Sequence, residues 1–182
     1  MNALPSHPKI NVSDGTSPEE DDPLFDSRQT KESTMRIRVS GVFEQDNEIL
    51  TMKYVYGGKE VLALPGGGVE RDIPILEALQ DEWKEELGVK VVPGNIIQIG
   101  EAHPDKRHPQ TLHIIFQINE IHGTPRIQHE STHSLELVWL PVNQVSQKPL
   151  YPDVGKNLQE HFMKQPRESV PFIQNCMERG YW

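Results

Sequence analysis

The chain reads as an α/β protein in which helices are layered on a mixed β-sheet. Three observations predict this. Residues 36–43 and 111–121 alternate apolar with polar side chains, as half-buried strands do. Leu76, Leu79, Trp83 and Leu87 recur at helical spacing between those strands, forming one apolar stripe. A second helical pattern comes late, with Leu158, His161 and Phe162 inside residues 154–164.

Each element follows in order. In residues 36–43, Ile37 and Val39 share one face and Arg36, Arg38 and Ser40 the other. After the turn residues Gln45, Asp46 and Asn47, the strand signal returns over residues 48–56, and Gly57-Gly58 is a hairpin break before a strand at 60–64. A β-meander is therefore expected first. Pro74 suits a first helical turn and Asp72 lies close enough to cap it, so the helix should start there and bury the Leu76 stripe. Pro93 and Gly94 break the chain before a strand at 96–100. Within residues 111–121, Leu112, Ile114, Phe116 and Ile118 oppose His113, Gln117 and Asn119, and residues 135–140 form a short apolar strand ending at Pro141. No internal repeat or low-complexity tract interrupts the domain.

Composition narrows the partners. At 182 residues the chain suffices for one domain with a real core. A formal net charge of -9 argues against a nucleic-acid polymer, whose phosphates demand a basic surface. No apolar run approaches the roughly 18 residues of a membrane span, and Cys176 is the single cysteine, so no intrachain disulfide can form and the cytoplasm is the expected location. Residues 1–34 carry seven acidic and three basic residues with little to bury, which predicts a disordered acidic tail. The domain is expected over residues 35–170, with residues 171–182 as a tail whose order is open.

The chemistry concentrates in one stretch. Gly66-Gly67-Gly68 forms a turn that feeds the predicted helix, and Glu82, Glu85 and Glu86 lie three and four residues apart on one side of that helix. Like charges so placed repel by about 0.2–0.5 kcal/mol per pair on a solvated surface. A hard divalent cation among the oxygens would reverse the sign, so magnesium or manganese is the natural ligand. Taken alone, three such acids are more often a solvated helix face.

The spacing resembles the Nudix box: Gly, five residues, Glu, seven residues, then Arg-Glu-apolar-any-Glu-Glu-any-Gly-apolar. Gly67 takes the opening Gly, Glu82 the Glu after the Arg, Trp83 the apolar place, Glu85 and Glu86 the paired acids, and Gly88 and Val89 the closing pair. Two positions depart, with Ile73 where the family has its first Glu and Asp81 where it has Arg. The resemblance implies a Nudix-like α/β/α sandwich and hydrolysis of a phosphoanhydride in a nucleoside diphosphate derivative, weakly of the ADP-ribose or sugar-nucleotide type. It further implies Glu82, Glu85 and Glu86 as metal ligands, with Glu82 and Glu85 in the catalytic machinery. Gly66 and Gly67 would then bring backbone to the diphosphate and a carbonyl to the metal.

Other positions carry two readings each. Glu70 matches a further acid common in the family, or is a solvent-exposed loop acid. Glu136 and Glu130 precede Trp139 in a segment similar to the family's Glu-then-Trp region, and Glu136 is the candidate fourth metal ligand. Arg107 offers a planar fork of donors to a phosphate, or is plain surface charge. His103, His108 and His113 lack cysteine partners and zinc spacing. The partner expected is a small nucleotide-type molecule, with homodimer formation open. The competing class is a Nudix-fold binding module without turnover, motivated by Ile73 and Asp81: in the family the missing Glu and Arg form a charge pair bracing the glycine turn against the helix.

Overall fold

A computed structural model describes residues 35–104, 108–163, 170 and 172–173. Its elements run β1 (Arg36–Val42), β2 (Glu44–Gln45), β3 (Glu48–Tyr56), β4 (Lys59–Ala63), β5 (Gly66–Gly68), α1 (Ile75–Leu87), β6 (Lys90–Ala102), β7 (Thr111–His122), β8 (Glu136–Pro141), a 3-10 turn (Val142–Gln147), β9 (Leu150–Tyr151), α2 (Gly155–Met163) and β10 (Phe172–Ile173). No helix among the described residues is long and apolar enough to cross a membrane.

The strands divide between two mixed sheets rather than one. The first has the order β10-β6-β7-β1-β5, with β1 parallel to β7 and antiparallel to β5. The second has the order β2-β3-β4-β9, with β8 antiparallel to β3. The expected meander therefore holds only for β2, β3 and β4, because β1 pairs in the other sheet. Two tight hairpins frame β3: Asp46 and Asn47 at φ 53 and 65, then Gly57 and Gly58 at φ 55 and 79. Both central residues at positive φ is what such two-residue turns require, and Asn and Gly are the residues that tolerate it.

Burial departs from the alternation in β1. Val39, Ser40 and Val42 are all buried, so both faces of this strand are covered, not one. The reason is position: β1 is flanked by β7 and β5 and carries side chains into two clusters, Val39 with Trp83 and Leu50, and Val42 with Ile49, Leu64 and Ile115. β6 also runs through Pro93 and Gly94, its register against β7 shifting there, so the expected break is a set of bulges. β10 pairs in parallel with Ile99 and Gly100, which extends the sheet past residue 170.

Helix α1 is held by packing more than by its caps. Pro74 occupies the N-cap position with no side-chain cap, and Asp72 sits at φ 66 in the preceding turn instead of capping. The buried face is Ala78, Leu79, Trp83 and Leu87, each contributing on the order of 1.5–3 kcal/mol if large and apolar. Leu76 is about half exposed, because the helix presents Ala78 to the sheet at its entry and turns Leu76 outward. At the other end Gly88, at φ 68, closes the helix, and the loop after β7 covers it: Arg126 N–H donates to the Leu87 carbonyl at 3.0 Å and Gln128 N–H to that of Glu86 at 2.9 Å.

Candidate active site

The glycine turn is a strand before it is a loop. Gly66, Gly67 and Gly68 face Ser40, Val39 and Arg38 across the antiparallel β1 pairing, and the ends are tied by Gly41 N–H to the Pro65 carbonyl and Val69 N–H to the Ile37 carbonyl, both 2.9 Å. Gly66 lies at φ 143, and a Cβ there would strike the Val39 carbonyl. At Gly67 a Cβ would land on the carboxylate of Glu82. Glycine is therefore needed twice, once against β1 and once so that an acid of α1 can lie against the backbone.

Two carboxylates of α1 close on this turn. Gly66 N–H donates to Glu86 Oε2 at 3.0 Å, and Glu82 covers Gly67. Burial pushes the Glu86 carboxyl up to about 7, against the opposing pull of the Gly66 amide and the Arg38 guanidinium; the nearby Glu82 charge raises it further. Glu82 is raised too, by burial first, opposed by Arg38 and reinforced by Glu85, Glu70 and Asp81. The Tyr54 hydroxyl, 2.9 Å from Thr132 Oγ1, lies close enough to the Glu86 carboxyl to oppose its rise. Its own ionisation is driven up to about 12, chiefly by burial.

Arg38 lies at the same turn. One of its Nη atoms donates to the Gly66 carbonyl, and its guanidinium stands 5.1 Å over the Tyr151 ring. That ring in turn meets His113 edge-on at 5.5 Å. His113 is buried, and burial together with the Arg38 charge drives its pKa down to about 3, so it is neutral. Beside it, Arg38 Nε, Ser40 Oγ and both His113 ring nitrogens have no partner among the described residues.

The residues expected from sequence are thus divided. Gly66, Gly67, Glu82 and Glu86 come together. Glu85 is exposed at the solvent side of the same helix, and Glu70 is exposed just past the turn, both near enough for their charges to act on Glu82. Glu136 does not join them: it pairs across the ladder with Lys53 and forms an ion pair with it. The pleat explains this, since Lys53 and Tyr54 point to opposite faces of β3 and only Tyr54 reaches Glu86. Glu136 thus stands with Lys53 and not at the glycine turn. Glu130 is exposed in the turn after Gln128. Arg107 lies outside the described residues.

Sequence reasoning missed the tie of Arg38 to the turn, and Tyr54 altogether. Their roles depend on the pairing of β1 with β5 and on which face of β3 meets α1, neither of which a local pattern encodes.

The donor chemistry suits a hard divalent cation. Two part-buried carboxylates with raised pKa values against a backbone turn are a site where a cation would stabilise the charged forms. Among the described residues no three acidic, histidine or cysteine side chains stand together as a complete cage. Remaining ligands would have to come from Glu85, backbone oxygen, water or the phosphates themselves.

The profile of the NUDIX domain family matches residues 34–161. Among solved structures, the chain is similar to the ORF135 protein of E. coli at 25% identity and TM-score 0.60, covering 71% of this chain and 89% of that one. A MutT NUDIX hydrolase from Burkholderia pseudomallei aligns at 19% identity and TM-score 0.61, covering 69% and 97%. An ADP-ribose pyrophosphatase from Streptococcus suis aligns at 18% identity and TM-score 0.52, covering 78% and 100%. No curated protein matched in sequence.

Proposed function

Because this chain belongs to the NUDIX domain family, we propose that it is a magnesium- or manganese-dependent pyrophosphohydrolase acting on a nucleoside diphosphate derivative. The observation that carries the reading is the closure of Glu82 and Glu86 on the Gly66-Gly67 backbone. Carboxylates kept this close to one another and partly out of water cost stability unless a cation or a proton neutralises them.

Glu82 and Glu86 would hold the ion, with Glu85 contributing from the exposed side of α1. A bound divalent ion supplies neutralisation of the diphosphate oxygens and a lowered pKa for an attacking water. The chain's own part is positional. Glycine at 66 and 67 lets the backbone approach the diphosphate without a Cβ in the way, and Glu82 in its carboxylate form would accept a proton from water directly or through a second water. Glu70, exposed beyond the turn, would support the ligands through its charge.

ADP-ribose and sugar nucleotides head the substrate series, because residues 104–107 and the strand after them resemble those of family members acting on such compounds. The test is a hydrolysis panel with magnesium and with manganese, spanning ADP-ribose, sugar nucleotides, nucleoside triphosphates and dinucleoside polyphosphates, read as phosphate released with and without added phosphatase. Turnover of a diphosphate derivative supports the proposal.

A second reading is a binding module. It is favoured by Asp81 and Ile73, both exposed in the structure, where the family carries its Arg and Glu. Tight binding of a panel compound without turnover would favour it.

A further inference from the structure

We propose that Arg38 is a positioning residue of this site: a guanidinium supplied by β1 holds the glycine turn in register with α1. The inference rests on the reading above only for its kinetic arm.

Gly66 is gripped from both sides. Its N–H is held by Glu86 of α1 and its carbonyl by the Arg38 guanidinium. These groups belong to the two peptide units that flank the Gly66 Cα, so neither unit can rotate without breaking a charge-assisted hydrogen bond, the stronger kind. The backbone here is also tightly set against β1, since at φ 143 there is no space above Gly66 for even one carbon.

Arg38 is suited to the task on two counts. The Tyr151 ring covers the guanidinium at 5.1 Å, an arrangement that favours a cation and limits its swing. It is anchored in the interior of the first sheet, opposite His113 on β7 and Gly68 on β5, so its root does not move with the helix. Residue 81 on α1, by contrast, is an exposed aspartate, and the basic side chain at this turn comes from β1.

The test uses the full chain with Arg38→Ala, Arg38→Lys and Tyr151→Leu. Amide hydrogen exchange followed by NMR in the metal-free protein should show Gly66, Gly67 and Gly68 exchanging at least about ten-fold faster in Arg38→Ala, with the α1 and β7 amides unchanged. A smaller effect of the same pattern is expected in Tyr151→Leu. In turnover with the best substrate of the panel, Arg38→Ala should lower kcat by roughly ten-fold or more with KM changed only a few-fold, and millimolar guanidinium should restore part of the loss where methylammonium does not. Arg38→Lys should stay low, because an ammonium cannot reach the Gly66 carbonyl and the Tyr151 face with one planar group.

Unchanged exchange in the glycine turn would overturn the proposal, as would acceleration spread evenly over the chain, which marks general destabilisation. Full activity in Arg38→Ala would overturn it as well. If the unaltered protein hydrolyses nothing, the functional reading fails while the exchange experiment still decides the role of Arg38.

Discussion

The Gly66 amide and the Glu86 carboxylate, twenty residues apart in the chain, meet at 3.0 Å and join the glycine turn to the acidic helix. Glu86→Gln keeps an oxygen to accept that hydrogen bond and discards the charge. Manganese binding measured by calorimetry is expected to fall by about ten-fold or more in Glu86→Gln and in Glu82→Gln. Glu136→Gln should bind as the parent does, since its partner is Lys53. Equal losses in all three variants would place Glu136 among the ligands.

Buried His113 and part-buried Glu86 impose opposite pH slopes on the metal-free protein. His113 has its pKa lowered from 6.5 to about 3, so its contribution is complete above pH 6.5 and is lost as pH falls toward 3. Glu86 is raised from 4.5 to about 7, so its contribution is complete below pH 4.5 and is lost as pH rises through 7. Between 4.5 and 6.5 the two oppose each other. In that window Glu86→Gln should gain a rising stability slope, relative to the parent, of about 1.4 kcal/mol per pH unit, and His113→Phe a falling one of similar size. Urea denaturation with chelator at several pH values measures both, and parallel curves for parent and variants would refute the assignment.

Adjacent glycines should differ sharply on substitution. Gly67→Ala drives a methyl into the Glu82 carboxylate, whereas Gly68→Ala meets nothing within 4 Å. Gly67→Ala is expected to swing the Glu82 carboxylate off the turn at small cost in stability and to abolish most turnover. Gly68→Ala should remain within about 0.5 kcal/mol of the parent. Rates on the two variants check this, with thermal melts to show that both fold, and equal rates would mean that Glu82 does not lie against the turn.

A chain beginning at Met35 is expected to fold like the full one. Residues 1–34 hold too little apolar surface to offset the entropy of ordering them. A thermal midpoint within a few degrees of the full chain supports this domain boundary, and a much larger drop contradicts it.

What was legible locally was what local physics controls. The hairpin at Asp46-Asn47, the break at Gly57-Gly58, the helix over Leu79, Trp83 and Leu87, and the closing Gly88 are set by backbone sterics and by the periodicity of apolar residues, which a sequence displays directly. The spacing from Gly67 to Glu82 and Glu86 likewise marked the turn and helix that meet. The misreadings came where burial depends on a neighbour from elsewhere in the chain. Leu76 faces out because the sheet receives Ala78 instead, and Pro93-Gly94 bends β6 without ending it because β7 continues to pair alongside.

The sequence by itself determined the element types, the glycine turn and the acidic helix face, since each follows from residues within a few positions of one another. Only the tertiary structure decided that β1 lies beside the turn, which brings Arg38 to Gly66, and that β3 presents Tyr54 to Glu86 while sending Lys53 to Glu136 on the opposite face. Strand pairing and register are properties of two segments at once, fixed by the burial of both, and no single segment contains them.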